Sequence, residues 1–125
     1  MAKVKRISPT QRTLALLRSE GMLCEIVEKW NPHARCRQDL FGFIDILAIA
    51  RGITWGIQCT TIDHMANRAT KIRALFSAET WLKAGNQIQV IGWAKRGPRG
   101  ARKLWTCNRH MITLEDLRDA HPETP

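Results

Sequence analysis

The chain has little of several things. Four cysteines, Cys24, Cys36, Cys59 and Cys107, lie far apart with no C-x-x-C pair. That spacing argues against a structural zinc site and suits reduced thiols in a cytosol-like compartment, so a cytoplasmic protein is expected. No apolar run approaches the roughly 18 residues that span a bilayer, which excludes a membrane helix. MAKVKRISPTQR at the start is charged and has no apolar core after it, so it does not read as a secretory signal. Repeats, low-complexity tracts and linkers are missing too, and one domain over residues 1–125 is expected, with 1–8 a basic arm and 121–125 a frayed tail.

Acidic residues are also scarce. None precedes Glu20, and Glu79 alone falls between Asp63 and Glu115. Twenty Lys and Arg against eleven Asp and Glu give a net charge of +9, and the sequence pI is about 10.1. Cations cluster in the first eighteen residues (Lys3, Lys5, Arg6, Arg12, Arg18) and in KRGPRGARK at 95–103. Such a distribution favours a polyanion, most simply nucleic acid, over a surface charged only for solubility.

An apolar fraction of 44% with five Trp points to a folded core. Ser8-Pro9-Thr10 ahead of QRTLALLRSEG predicts a helix capped by Ser8, started by Pro9 and stopped by Gly21. MLCEIVEKW reads as a first strand ending at Asn31-Pro32, and HARCRQ as a polar loop. FGFIDILAIA and ITWGIQCTT read as second and third strands joined by Arg51-Gly52. From Asp63 the period becomes helical, with Met65, Ala69, Ile72, Leu75, Phe76 and Leu82 on one side to Gly85. NQIQVIGWAK is a fourth strand and KLWTCN a short fifth. Thr113-x-x-Asp116 marks a capped final helix.

One carboxylate stands out. If Arg51-Gly52 is a two-residue turn, opposed positions sum to 103 and Asp45 faces Gln58, with Cβ atoms about 4.5–5.5 Å apart. Thr60 lies diagonally on the same face. Ile44, Ile46, Ala48, Trp55, Ile57 and Cys59 fall on the other face, while Phe41, Phe43, Leu47 and Ile49 share the face of Asp45. A sheet apolar on both sides is covered on both, so Asp45 is expected to be buried. A buried carboxylate needs compensation, from a metal ion, a cation, or hydrogen bonds from Gln58 and Thr60. A metal or catalytic role and a locally satisfied structural Asp both remain open at this point.

The order helix, three-stranded meander, helix, strand over about residues 9–95 resembles the core of the PD-(D/E)xK nuclease superfamily, including the archaeal Holliday-junction resolvases. GFIDILAI, with Asp45, stands where that family has its second-strand Asp. Gln58-Cys59-Thr60 stands in place of its Glu-x-Lys, and Gln11 in place of a first-helix Glu. The resemblance implies an α/β fold with a restriction-endonuclease-like αβββαβ core and a mixed central sheet flanked by helices. It implies an Mg²⁺- or Mn²⁺-dependent endonuclease that hydrolyses DNA phosphodiesters, branched DNA included. Asp45, Gln58 and the Cys59 carbonyl would hold the metal. The third-strand position, here Thr60, would orient or activate the attacking water, and such compact nucleases commonly pair as homodimers.

In this sequence Gln11, Gln58 and Thr60 are neutral where the family carries charges. Glu25 and Glu28 are further candidate carboxylates, and Lys71 is a candidate for reaching the phosphate. His64, Arg68 and Lys71 share a helix face. Lys95, Arg96, Arg99, Arg102 and Lys103 suit a loop that tracks a nucleic-acid backbone. Trp93 and Trp105 flank that loop and are either core residues or base-stacking ones. A DNA-binding protein that has lost catalysis, and a basic RNA-binding protein, are the competing readings.

Overall fold

The computed structural model describes residues 6–120, with side chains to 118. Most of the basic arm (1–5) and the tail at 121–125 lie outside the described residues. The order is α1 (Pro9–Ser19), β1 (Leu23–Ile26), β2 (Lys29–Asn31), β3 (Cys36–Gln38), β4 (Ile46–Ala50), β5 (Ile53–Thr61), a 3-10 turn (Ile62–His64), α2 (Met65–Arg73), α3 (Phe76–Lys83), β6 (Gln87–Arg96), β7 (Leu104–Ile112) and α4 (Leu114–Ala120). Five strands form a mixed sheet in the order β1-β4-β5-β6-β7, and β2 and β3 make a separate hairpin. β5 and β6 are the parallel pair, and the other neighbours run antiparallel.

Local chemistry explains the helix ends. Ser8 Oγ accepts from the Gln11 N–H at 3.1 Å, and Pro9 sits in the first turn, where its missing N–H costs nothing. The Thr113 N–H donates to Asp116 Oδ2 at 2.8 Å while the Asp116 N–H returns to Thr113 Oγ1 at 3.4 Å. That reciprocal pair starts α4 as its spacing predicts.

The sheet is covered on both faces. Leu14 and Leu17 of α1 pack with Cys24, Ile46, Ala48, Ile57, Cys59 and Ile91. Ala69, Ile72, Ala78 and Leu117 of α2 to α4 pack with Phe43, Ile44, Ile88 and Val90. Val90 and Ile91 are consecutive and belong to opposite clusters, as strand alternation requires.

Four expectations change. The first strand stops at Ile26, and the segment read as a loop supplies β3, which folds back on β2. Regular pairing of the second strand starts at Ile46, because Phe41 (φ 56°) and Gly42 (φ 87°) turn the chain before it. Ile44 consequently packs with Phe43 on the α2 side rather than with Ile46. The long helix is two. At a continuous 100° per residue, the stripe through Met65, Ala69 and Ile72 would run on to Phe76 and Glu79. A break at Ala74-Leu75 re-phases the chain, burying Ala78 and leaving Phe76 80% exposed. The last strand is also longer than expected, reaching Ile112 because β6 pairs with it throughout.

Candidate metal and phosphate site

The Arg51-Gly52 turn holds the register that predicts the site. Both residues have positive φ, 52° and 78°, the combination of a two-residue hairpin turn whose twist matches its strands. The pairs run from Ala50↔Ile53 to Ile46↔Ile57, all with the expected sum. The ladder is then disturbed. The Asp45 N–H also donates to the Ile57 carbonyl, at 2.8 Å, so Asp45 and Ile46 together oppose one residue of β5. Two residues against one is a β-bulge, a device that re-aims a side chain.

Here it aims Asp45 at β5. Gln58 Nε2 donates to Asp45 Oδ2 at 2.5 Å, and the Cys59 backbone N–H donates to the same oxygen at 2.8 Å. Asp45 is 3% exposed. Burial pushes its carboxyl up to about 8, with the hydrogen bond that the protonated Asp45 carboxyl donates to the Asp39 carboxylate and the charges of Asp39 and Glu28 adding to the rise; the Cys59 N–H opposes it. The Cys59 thiol is pushed up to about 12, chiefly by burial, so it stays protonated and unreactive.

Glu28, Asp39 and Asp45 offer carboxylate oxygens that all lie within 4.8 Å of one another. They arrive from different directions. Glu28 follows β1, where the chain turns away into β2, Asp39 follows β3, and Asp45 precedes β4. Together with Thr10, Arg37, Gln38, Gly42, Gln58, Cys59 and Arg68 they line a cavity of about 660 Å³. Arg37 forms a 3.4 Å ion pair with Glu28 while its own side chain stays exposed, an arrangement worth little to stability.

The sequence candidates divide. Asp45, Gln58, Cys59 and Arg68 meet at this cavity, and Glu28 joins Asp45. Glu25 is exposed on β1 and outside the lining. Gln11 points to solvent, and Thr10 is the α1 residue that faces the cavity. Thr60 is buried but does not line it, and Lys71 is exposed one turn beyond Arg68. Lys95, Arg96, Arg99, Arg102 and Lys103 are exposed around the β6–β7 connection. Asp39 was missed. Its signal is the DLFG turn, in which the Gly42 N–H donates to the Asp39 carbonyl at 3.1 Å and folds the chain back beside Asp45.

Three crowded carboxylates without a lysine among them fit a hard divalent cation, which prefers oxygen donors. The pressure on Asp45 to stay protonated is what a bound cation would remove. Compared with known proteins, the chain matches no family model, no curated protein and no solved structure. No helix among the described residues is long and apolar enough to cross a membrane.

Proposed function

We propose that this protein is a metal-dependent endonuclease acting on DNA, built on a restriction-endonuclease-like core of the PD-(D/E)xK kind. The observation that carries the reading is the convergence of Glu28, Asp39 and buried Asp45 at one cavity that Arg37 and Arg68 also line. Glu28, Asp39 and Asp45 would hold Mg²⁺ or Mn²⁺, which when bound supplies a water of lowered pKa and offsets charge on the phosphate. Gln58 and the Cys59 N–H keep Asp45 oriented through its Oδ2. Arg37 and Arg68 bring guanidinium groups suited to phosphate oxygens. The five cations at 95–103 extend the positive surface, and the polyanion they favour agrees with the net charge of +9. Pairing of two copies to cut two strands belongs to the same proposal; β7 pairs on one side only, with β6.

A second reading has its own observation. Among the described residues the cavity lining includes no lysine, and Thr60 stands where the resembled family has one. That favours a DNA-binding protein on the same fold that does not cut. The test is cleavage of linear, nicked and branched DNA with Mg²⁺ or Mn²⁺, with Asp45→Ala as control. Cutting that needs the metal and disappears in the variant supports the nuclease. Binding without cutting in either metal supports the second reading.

A further inference from the structure

The two tryptophans beside the basic loop have different fates. Trp93 faces α1, where its Nε1–H donates to Thr13 Oγ1 at 2.9 Å, and Thr13 is wholly buried. It is a core residue. Trp105 lies two ladder positions further out, opposite Lys95, and remains 44% exposed. The Arg12 guanidinium lies 3.7 Å from the centre of its ring, and the Lys95 ammonium lies 5.5 Å away. Arg12 Nε is buried with no hydrogen-bond partner, so the ring is what the guanidinium rests on.

Two cations share one indole, and among the described residues neither forms an ion pair with an acid. The sequence has neither Asp nor Glu from 80 to 114. Among the described residues, no salt bridge is formed by Arg12, Lys95, Arg96 or Lys103. A surface that crowds like charges around a half-exposed aromatic ring is complementary to a ligand with both an anion and a flat apolar face. A nucleotide has both, and its base is accessible to such a ring only when unpaired.

The position relative to the cavity narrows the ligand further. Thr10 lines the acidic cavity, and Arg12, two residues on in the same first turn of α1, covers Trp105. Two residues are about 200° of helical turn, so cavity and ring sit on different sides of one helix end, roughly 10–12 Å across. We propose that Trp105, with Arg12 and Lys95, is a stacking platform for an unpaired nucleotide next to the phosphate held at the Asp45 cavity. The preferred substrate is then nucleic acid with a single-stranded segment rather than continuous duplex. The platform rests on the reading of the cavity as a nucleic-acid site, and it acts in binding, before any cleavage.

The test is therefore made in EDTA, by fluorescence anisotropy with labelled oligo(dT), oligo(U), a blunt duplex of equal length and a splayed-arm duplex. Tighter binding of the single-stranded and splayed DNA than of the blunt duplex is expected. Trp105→Ala should weaken binding of the unpaired ligands about tenfold, the scale of one lost base–aromatic stack, and leave duplex binding within about twofold. Trp105→Phe should keep the preference but lose the quenching of tryptophan emission by oligo(dT), a readout that a merely structural Trp105 would not move. Circular dichroism establishes that each variant is folded. Equal loss for duplex and single strand, or unchanged quenching in Trp105→Phe, overturns the platform. Preference for oligo(U) over oligo(dT) keeps the platform and transfers it to RNA. Failure of every nucleic acid to bind overturns both the platform and the cavity reading. Normal stacking behaviour with no cleavage in Mg²⁺ or Mn²⁺ overturns the nuclease alone.

Discussion

Gln58 and Asp45 reach each other across the central sheet because of a bulge: their strands pair regularly only to Ile46↔Ile57, yet the Gln58 amide donates to Asp45 Oδ2 at 2.5 Å. An acid and an amide thirteen residues apart share one pocket, and the same oxygen is held a second time by the Cys59 N–H. The predictions below depend on that arrangement.

Asp45→Asn keeps the shape of the side chain and removes its charge. Cleavage in Mg²⁺ or Mn²⁺ should fall by at least about a hundredfold, since even residues behind a metal ligand cost 10–100-fold when altered. The variant should also lose the rise in melting temperature that divalent metal gives the parent protein. Gel-based cleavage and a thermal melt with and without metal measure the two effects.

The metal-free protein should lose stability as pH rises. Asp45 is raised from 3.8 toward about 8 in the folded state. Between those values the folded chain holds a proton that the unfolded chain has released, so unfolding stability has a negative slope with pH. The contribution of this group is fully present below about pH 4 and is lost as pH passes through about 8. Urea midpoints in EDTA from pH 5 to 8.5 should show the fall, and Asp45→Asn should flatten it.

Gln58→Leu removes one of the two donors to Asp45 Oδ2 while filling the space. Above pH 8, where the carboxylate is charged, the cost should be about 1–3 kcal/mol, the penalty for a buried polar group left short of a partner. Below pH 6 it should shrink. Gln58→Glu works the other way: it adds a fourth acid, tightening divalent-metal binding by calorimetry and lowering metal-free stability at pH 8.

Gly56→Ala tests the packing behind the site. A Cβ there would sit 3.0 Å from two carbons of Ile44 and 3.3 Å from Phe43. Both neighbours are fully buried and would have to shift by a few tenths of an ångström, so overpacking should cost about 1–3 kcal/mol by chemical denaturation. Metal affinity should drop with it, because Phe43 and Ile44 immediately precede Asp45.

Arg51→Asn should raise stability. Arg51 occupies the left-handed region at φ 52°, where crowding of Cβ against the following carbonyl oxygen costs ordinary residues about 1–2 kcal/mol and Asn, by local hydrogen bonding, recovers part of it. A gain of about 0.5 kcal/mol in a urea titration, with cleavage unchanged, is the expected result.

Much of this was readable along the chain. Ser8-Pro9, Thr113-x-x-Asp116 and Arg51-Gly52 each act through neighbours three residues away or less, so their effects survive in the bare sequence. The hairpin sum of 103 predicted the pairs down to Ile46↔Ile57 and the neighbourhood of Asp45 and Gln58, but the two meet through a side-chain bond past the bulge and not as a ladder pair. Where reading failed, the deciding contact was distant or the period ambiguous. Leu75 and Phe76 fit an unbroken helical stripe equally well, although such a stripe would also have to bury Glu79. The Asp39 carboxylate had no periodic signature at all, since a turn with positive φ at Phe41 and Gly42 carries it into place.

By itself, then, the sequence determined the charge, the helix caps, the hairpin and the burial of one acid, because each follows from composition or from spacing within a strand or turn. The tertiary structure decided which other acids stand beside Asp45 and which tryptophan meets solvent. Glu28 and Asp39 come near Asp45 only after β2 and β3 fold away from the main sheet. Trp93 on β6 packs against α1, while Trp105 on β7 lies two ladder positions further out. Such choices are made by packing between segments far apart in the chain, which local spacing does not encode.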